Sequence, residues 1–264
     1  MRELPAEELK SNYDALIKII KSEISEPRST QLLKLYNQLE ERIMMAPASG
    51  NINYHNCFIG GYVDHVLNVI ESAKAHYEMW KALGADNSDY TYEELIFSAI
   101  NHDLGKIGDL DNEYYIPNPS EWHRKNLGKI YEHNKNLAYM RVADRSLYLL
   151  QESNIKISRN EFLAIKLHDG LYVDDNKAYL FAGGQNPGLQ NHLPYMLHHA
   201  DHAASIIEKE KQKNNSISGK EIKKVSHNIT NKQSRIKSIQ NIAKSNNSIN
   251  KNHANLFDEL FKDL

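Results

Sequence analysis

The feature that most constrains the fold is a helical spacing of apolar residues through positions 1–208, with two of the helix starts marked explicitly. Thr91 with Glu94, and Ser158 with Glu161, each stand directly before a short apolar run. A hydroxyl followed three residues later by a carboxylate can satisfy the free amide groups of a first helical turn, so both pairs are expected to be capping boxes. Two helices are therefore predicted to begin at these positions.

Other stretches of the same region also have one apolar face at helical spacing. Such faces are found over residues 9–20 and 32–43, and Gly60-Gly61 opens another segment of this kind. Pro194 is placed where the first turn of a last helix is expected. Strand-like sequence is scarce, and the segment 179–182 is the one expected hairpin edge. The sequence predicts an all-α fold.

The charge of the chain is divided between two regions. Residues 1–208 hold 20 Lys and Arg against 29 Asp and Glu, whereas residues 209–253 hold 11 basic residues, 2 acidic residues and no aromatic residue. Such a Lys/Asn/Ser-rich segment buries too little apolar surface to offset the entropy of ordering it, so a disordered or weakly helical linker is expected. This basic tether is either simply solvated or holds nucleic acid through its lysines.

The last segment, residues 254–264, is apolar again, with the spacing of a short amphipathic helix. A helix of this kind at the end of a polar tether is typical of a docking peptide. It is similar to the short C-terminal motifs by which phage and bacterial replication proteins attach to sliding clamps, and such a clamp is one expected partner. The alternative is a helix that folds back onto its own domain. The expected docking residues are Leu256, Phe257, Leu260 and Phe261, with Leu264 on the same face.

Composition excludes several classes of protein. No window approaches the roughly 18 consecutive apolar residues of a membrane span, so no membrane partner is expected. The acidic N-terminus does not resemble a signal peptide, which favours the cytoplasm. A single cysteine, Cys57, excludes an intramolecular disulfide framework, and 13 histidines direct any metal to nitrogen and oxygen ligands.

The most informative pattern is a series of histidines and aspartates at nearly regular intervals. Successive members lie 37, 31, 35 and 33 residues apart, each about the length of one helical hairpin, so each can return to the same end of a bundle. Imidazole and carboxylate ligands suit Mn, Fe, Zn or Mg, and an aspartate beside a histidine can bridge two ions. A histidine stabilised by a helix C-terminus, without metal, is the alternative. The series is His65, His102-Asp103, His133, His168 and Asp201.

This series resembles the H…HD…D signature of the HD-domain metal-dependent phosphohydrolases. His133 and His168 match the two extra histidines of the binuclear members of that family. Residues 53–65 are similar to the segment before the first ligand in the HD domain of bacterial 3′–5′ exoribonucleases, and phage-encoded members share it. For a phage-encoded member the compartment would be the host cytoplasm.

The resemblance covers roughly residues 45–208 and implies a helical HD-domain bundle there. Residues 1–44 are then expected to form N-terminal helices that pack on this bundle. The linker 209–253 and the motif 254–264 complete the expected organisation.

The resemblance also implies the role of each site residue. Two divalent ions are expected, and the residue shared between them would be Asp103. Lys106 would pair with a substrate phosphate as a point charge, and His55 would contact substrate phosphate or support a ligand carboxylate. The first ion would be held by His65, His102, Asp103 and Asp201, and the second by Asp103, His133 and His168.

The function implied is cleavage of a phosphoester bond in a nucleotide or oligonucleotide by a metal-activated hydroxide. Because residues 1–208 are acidic, small substrates are favoured over a strand, which needs a positive track. Three alternatives stay open at this stage: a 3′–5′ exonuclease on single strands, a non-catalytic module that binds through its C-terminal motif, and oxygen-dependent di-iron cleavage with the same ligands.

Overall fold

The computed structural model describes residues 3–181, 183 and 188–221, with only the helical backbone given for residues 215–221. This part of the chain is mostly helical, as the sequence predicts, with one small two-stranded sheet. Short 3-10 turns cover Leu104–Ile107, Gly170–Tyr172 and Asp174–Asn176. The main elements are α1 Ala6–Glu23, α2 Arg28–Gln38, α3 Glu40–Met45, α4 Gly61–Ala82, α5 Tyr92–Asn101, β1 Tyr115–Pro117, α6 Glu121–Leu127, β2 Tyr131–His133, α7 Val142–Glu152, α8 Arg159–Leu167, α9 Lys177–Leu180 and α10 Leu193–Glu221.

Both predicted capping boxes are confirmed. At the start of α5 the Thr91 hydroxyl accepts a hydrogen bond from the amide of Glu94 at 3.1 Å, and the Glu94 carboxylate accepts one from the amide of Thr91 at 2.7 Å. Ser158 and Glu161 repeat this arrangement at the start of α8, with the same two distances. Each box satisfies amide groups that would otherwise be unpaired, so both helices begin at fixed residues.

The capped ends of α5 and α8 are joined to each other. The Ser158 hydroxyl donates a hydrogen bond to the Glu94 carboxylate at 2.5 Å. Arg28, at the start of α2, donates to the carboxylate of Glu161 at 2.6 Å and also to that of Glu93. Because the two helices are of similar length and start side by side, their opposite ends also come close together.

The apolar core lies between α4, α5, α7 and α8, and α1 closes one side of it. In the described residues α5 packs between α4 and α8, while α7 packs on α8 and on the turn Leu104–Ile107. The largest fully buried side chains include three tyrosines, Tyr13, Tyr36 and Tyr62. The hydroxyl of Tyr13 donates to the main-chain carbonyl of Tyr36 at 3.0 Å, so part of the cost of burying these rings is offset.

The structure corrects several sequence expectations. The segment 177–180 is the helix α9, so the expected hairpin edge at 179–182 is wrong over its described part. The helical face predicted over 32–43 is divided into α2 and α3 at Leu39. The structure also contains a hairpin that the sequence did not predict, in which Tyr115–Pro117 pairs antiparallel with Tyr131–His133.

The last helix continues beyond the position where a linker is expected to start. α10 reaches Glu221, so its last residues fall within the region 209–253 that the sequence predicts to be disordered or weakly helical. The described residues up to Ile217 form one compact unit, and a second unit begins at Ser218, of which only 218–221 are described. Within the described residues no helix has the combined length and apolarity that crossing a membrane requires. The remainder of the linker and the docking residues Leu256, Phe257, Leu260 and Phe261 lie outside the described residues.

Candidate metal centre

The first pair of the series, His102-Asp103, lies where α5 ends. The apolar residues of α5 are buried, and they carry the helix into the core before it ends at Asn101. His102 then turns its Nδ1 atom towards the main-chain carbonyl of Ala99, at 2.9 Å. Both His102 and Asp103 are buried. The end of α5 therefore places an imidazole and a carboxylate inside the protein.

His168 repeats this geometry where α8 ends. Its Nδ1 lies 2.8 Å from the main-chain carbonyl of Ile165, and the rings of His102 and His168 are 5.0 Å apart between centroids. The Nε2 atom of His168 is 3.6 Å from Oδ1 of Asp103. The two capped helices, whose starts are also joined, thus direct equivalent histidines to the same point.

Helices α4 and α10 supply the other two side chains of the group. His65 is buried on α4, and its Nε2 lies 3.2 Å from Oδ1 of Asp201 on α10. The same nitrogen is 3.4 Å from Nε2 of His102 and 3.4 Å from Oδ2 of Asp103. The remaining separations from Nε2 of His102 are 3.5 Å to Oδ2 of Asp103 and 3.9 Å to Oδ1 of Asp201.

The donor set at this point fits a divalent cation. His102 and His168 direct their Nδ1 atoms to main-chain carbonyls, which can only accept, so in the neutral rings the Nε2 lone pairs face the carboxylates. Nitrogen and carboxylate oxygen without thiolate are ligands that suit Mn, Fe, Zn or Mg. One atom each from His65, His102 and Asp201 lies within 4.8 Å of the other two.

The electrostatics of the group agree with a need for positive charge. Burial lowers the pKa of His65, but the charge of Glu208 and hydrogen bonds to Asp103 and Asp201 outweigh it and hold that pKa well above its usual range. Burial raises the pKa of Asp201, but its hydrogen bond to His65 and the neighbouring histidines bring it below its ordinary value. Without a divalent cation, the ammonium of Lys106 and protons on His65 and His168, whose pKa values are raised, would balance the carboxylates.

Lys106 and His55 both border this group. Lys106 forms a salt bridge to Asp103, with 2.5 Å between Nζ and Oδ2. The ring of His55 lies against that of His65, with 4.5 Å between centroids, and within the described chain its buried Nε2 has no hydrogen-bond partner. Burial, together with the positive charges of His65 and Lys106, lowers the pKa of His55 to about 2. His55 is therefore a neutral ring at the edge of the site.

His133 is not brought to the other members of the series by any contact in the described chain. It lies on β2, where it is exposed and stacks on the ring of Tyr114 with 4.5 Å between centroids. The guanidinium group of Arg145 lies over the ring of Tyr114, 4.9 Å from its centroid. Of the three residues expected to hold a second ion, Asp103 and His168 therefore lie close together, while His133 lies in an aromatic hairpin.

Glu208 is the member of the site that the sequence did not reveal. It is buried on α10, and its carboxylate lies 3.1 Å and 3.3 Å from Nδ1 of His65 through its two oxygens. Asn68 donates a hydrogen bond to the same carboxylate at 2.8 Å. One signal was available, because Glu208 follows Asp201 by two helical turns and so shares its face, beside Ile206 and Ile207.

Comparison with protein-family models, with curated proteins and with solved structures found no match to this chain. The class of site is therefore defined by its own geometry, a largely buried cluster of imidazoles and carboxylates where the ends of α5 and α8 meet side chains of α4 and α10.

Proposed function

We propose that this chain is a divalent-metal-dependent phosphohydrolase of the HD-domain type, acting on phosphoester bonds of a nucleotide or oligonucleotide. The observation that carries the proposal is the convergence of Nε2 of His65 and His102 with carboxylate oxygens of Asp103 and Asp201. His65 and Asp201 lie on α4 and α10, while His102 and Asp103 directly follow α5, and all but Asp201 are buried. Buried polar groups that meet without a neutralising partner are costly, so an ion at this point offsets their burial.

The chain's own residues divide the work around such a centre. A bound divalent cation would lower the pKa of water that it holds and polarise a phosphoryl oxygen. The proposed ligands of that cation are His65, His102, Asp103 and Asp201, while Asp103 and His168 are the described candidates for a second one. Lys106 carries the positive charge next to Asp103 that would bind a substrate phosphate oxygen.

His55 is proposed to touch the substrate. Its neutral ring can either donate or accept a hydrogen bond, and its buried Nε2 has no partner among the described residues. A phosphate or sugar hydroxyl would satisfy that nitrogen. Because the ring of His55 packs against that of His65, substrate binding at His55 is linked to a proposed ligand of the metal.

The charge distribution favours a small nucleotide as substrate. Residues 1–208 carry nine more acidic than basic residues, which disfavours the path of a long strand across this surface. The second candidate, a 3′–5′ exonuclease on single strands, is favoured by the excess of nine positive charges in residues 209–253. In either case the proposed setting is the cytoplasm, and the motif in 254–264 is proposed to dock on a sliding clamp or another replication protein.

The test uses the full chain, stripped of metal and reloaded separately with Mn²⁺, Fe²⁺, Zn²⁺ or Mg²⁺. Each form is assayed on mononucleotides, cyclic nucleotides, dinucleotides and single-stranded oligonucleotides, with Asp103→Asn as the inactive variant and Asp175→Asn as an exposed control. Metal-dependent product release that Asp103→Asn abolishes supports the proposal. Absence of cleavage by every metal form contradicts it and favours a non-catalytic binding module.

Two comparisons within the same assay separate the alternatives. Rates on oligonucleotides that exceed those on mononucleotides would favour the exonuclease. Cleavage that continues under anaerobic conditions supports hydrolysis, whereas a strict requirement for oxygen would show di-iron chemistry instead.

A further inference from the structure

Glu208 binds two hydrogen-bond donors deep inside the protein. Its carboxylate meets Nδ1 of His65 at 3.1 Å and the side-chain amide of Asn68 at 2.8 Å. Asn68 donates its hydrogen bond through Nδ2. Because an ionised carboxylate can only accept hydrogen bonds, Nδ1 of His65 must also carry a hydrogen in its contact with Glu208. In the neutral form, which is the form that can ligate a cation, the lone pair of the ring then lies on Nε2, the atom that faces Asp103 and Asp201.

We infer that Glu208 is a positioning residue for the proposed metal centre, which fixes the tautomer and orientation of His65 so that its Nε2 is presented to the cation. The inference rests on the proposed function and adds a residue to it. A carboxylate behind a ligating imidazole holds the ring in place and makes its free nitrogen a stronger donor to the metal.

The placement of Glu208 on α10 strengthens this inference. Asp201 and Glu208 are two helical turns apart, about 10 Å along the helix axis, and both face α4. One helix therefore contacts His65 at both ring nitrogens, with Asp201 at Nε2 and Glu208 at Nδ1. Asn68, one turn after His65, secures the carboxylate from the side of α4. A rotation of the ring would break contacts at both nitrogens.

His65 differs in this respect from the other two histidines of the centre. His102 and His168 each turn Nδ1 to a main-chain carbonyl three residues earlier, which fixes the ring but brings no full charge. In the described chain His65 is the one of these three whose Nδ1 meets a carboxylate. Replacing Glu208 should therefore weaken metal binding by more than the loss of its helix packing alone would.

A matched control distinguishes a positioning role from a structural one. Glu161 is also a fully buried glutamate, but it pairs with Arg28 at the capped end of α8. Removing its charge should lower the melting temperature without changing metal affinity. Glu208→Gln retains an oxygen that can accept the Nδ1 hydrogen of His65 but has no charge, whereas Glu208→Ala removes both features.

The experiment titrates Mn²⁺ into metal-stripped full-length wild type, Glu208→Ala, Glu208→Gln and Glu161→Gln, following free Mn²⁺ by electron paramagnetic resonance. Thermal melting and the visible absorption of the Co²⁺ form are recorded for each protein. We expect Glu208→Ala to weaken Mn²⁺ binding about 10- to 100-fold and Glu208→Gln to weaken it less, with a changed Co²⁺ spectrum in both. Glu161→Gln should have a lower melting temperature than the wild type but bind Mn²⁺ with the same affinity.

The inference is overturned if folded Glu208→Ala binds Mn²⁺ within about twofold of wild type. Should Glu208→Ala fail to fold, Glu208→Gln decides in the same way, because unchanged affinity and an unchanged Co²⁺ spectrum contradict the inference. Wild type that binds no ion would overturn the proposed function together with this inference. Wild type that binds while the Glu208 variants match it would overturn the inference alone.

Discussion

The ammonium group of Lys106 forms a salt bridge with Asp103, three residues earlier in the chain, with 2.5 Å between Nζ and Oδ2. Burial lowers the pKa of Lys106, but the charge of Asp103 outweighs it, so the net shift is upward and the side chain stays positive. Oδ2 of Asp103 is also the oxygen that faces His65 and His102. A cation at the proposed centre and the ammonium of Lys106 therefore meet at the same carboxylate.

Replacing Lys106 by methionine should separate metal binding from catalysis. Without the ammonium, the negative charge of Asp103 is fully available, so we expect Mn²⁺ to bind at least about threefold more tightly. Hydrolysis should nevertheless fall, because a substrate phosphate loses its cationic partner. The exposed Lys125, paired with Glu121, supplies the control Lys125→Met. Calorimetric titration checks the affinity, and weaker Mn²⁺ binding by Lys106→Met would contradict this assignment.

His133→Ala should keep the metal content of the wild type. The exposed ring stacks on Tyr114 in the hairpin, and no contact in the described chain joins it to the centre. His102→Ala should lose metal, since Nε2 of His102 lies 3.4 Å from that of His65. Elemental analysis after reloading measures both variants. Loss of one ion per chain in His133→Ala would restore the six-residue ligand set expected from the sequence.

Gly105→Ala should disturb the turn that follows the His-Asp pair. A β-carbon at this position would lie 2.2 Å from the main-chain oxygen of Val142 and 3.0 Å from the amide nitrogen of Ser146, and neither backbone atom can move aside cheaply. We expect a loss of about 1–3 kcal/mol in the free energy of unfolding, together with weaker metal binding. Gly183→Ala, where an added methyl meets nothing within 4 Å, is the control. Denaturant titration that finds both variants equally stable would refute the close packing of this turn.

Arg28→Met should destabilise the protein by about 3–5 kcal/mol, because it leaves the carboxylate of Glu161 buried without its partner. The double variant Arg28→Met/Glu161→Gln should recover part of that loss, since no buried charge remains. Denaturant unfolding of the two single variants and the double variant forms the required cycle. Additive effects of the two substitutions would show that Arg28 and Glu161 do not interact.

Local chemistry explains which parts of the fold the sequence predicts. Thr91 with Glu94 and Ser158 with Glu161 satisfy amide groups within their own first turns, so these helix starts need no information from distant parts of the chain. The convergence of His102 and His168 follows because the helices after these caps are similar in length and lie side by side. His65 and Asp201 occupy helices that return to the same place.

Other features depend on contacts between distant segments, which no local pattern encodes. β1 and β2 are three residues each and are held by pairing across α6, so neither is long enough to show strand alternation. His133 belongs to this hairpin, and its interval from His102 gave no sign that a strand carries it. Glu208 is adjacent in sequence to a lysine-rich stretch that resembles a solvated linker. Its position two turns after Asp201 was the local signal, and its pairing with His65 identifies its role.

Metal stoichiometry and affinity of the wild type and of Asp201→Ala test the central claim most directly. Asp201 supplies the oxygen nearest to Nε2 of His65, at 3.2 Å, and Asp175→Asn serves as an exposed control. We predict at least one tightly held Mn²⁺ per chain in the wild type and the control, and binding more than about 100-fold weaker in folded Asp201→Ala. Wild-type protein that holds no ion, or Asp201→Ala that matches its stoichiometry and affinity, would contradict a metal centre built from these residues.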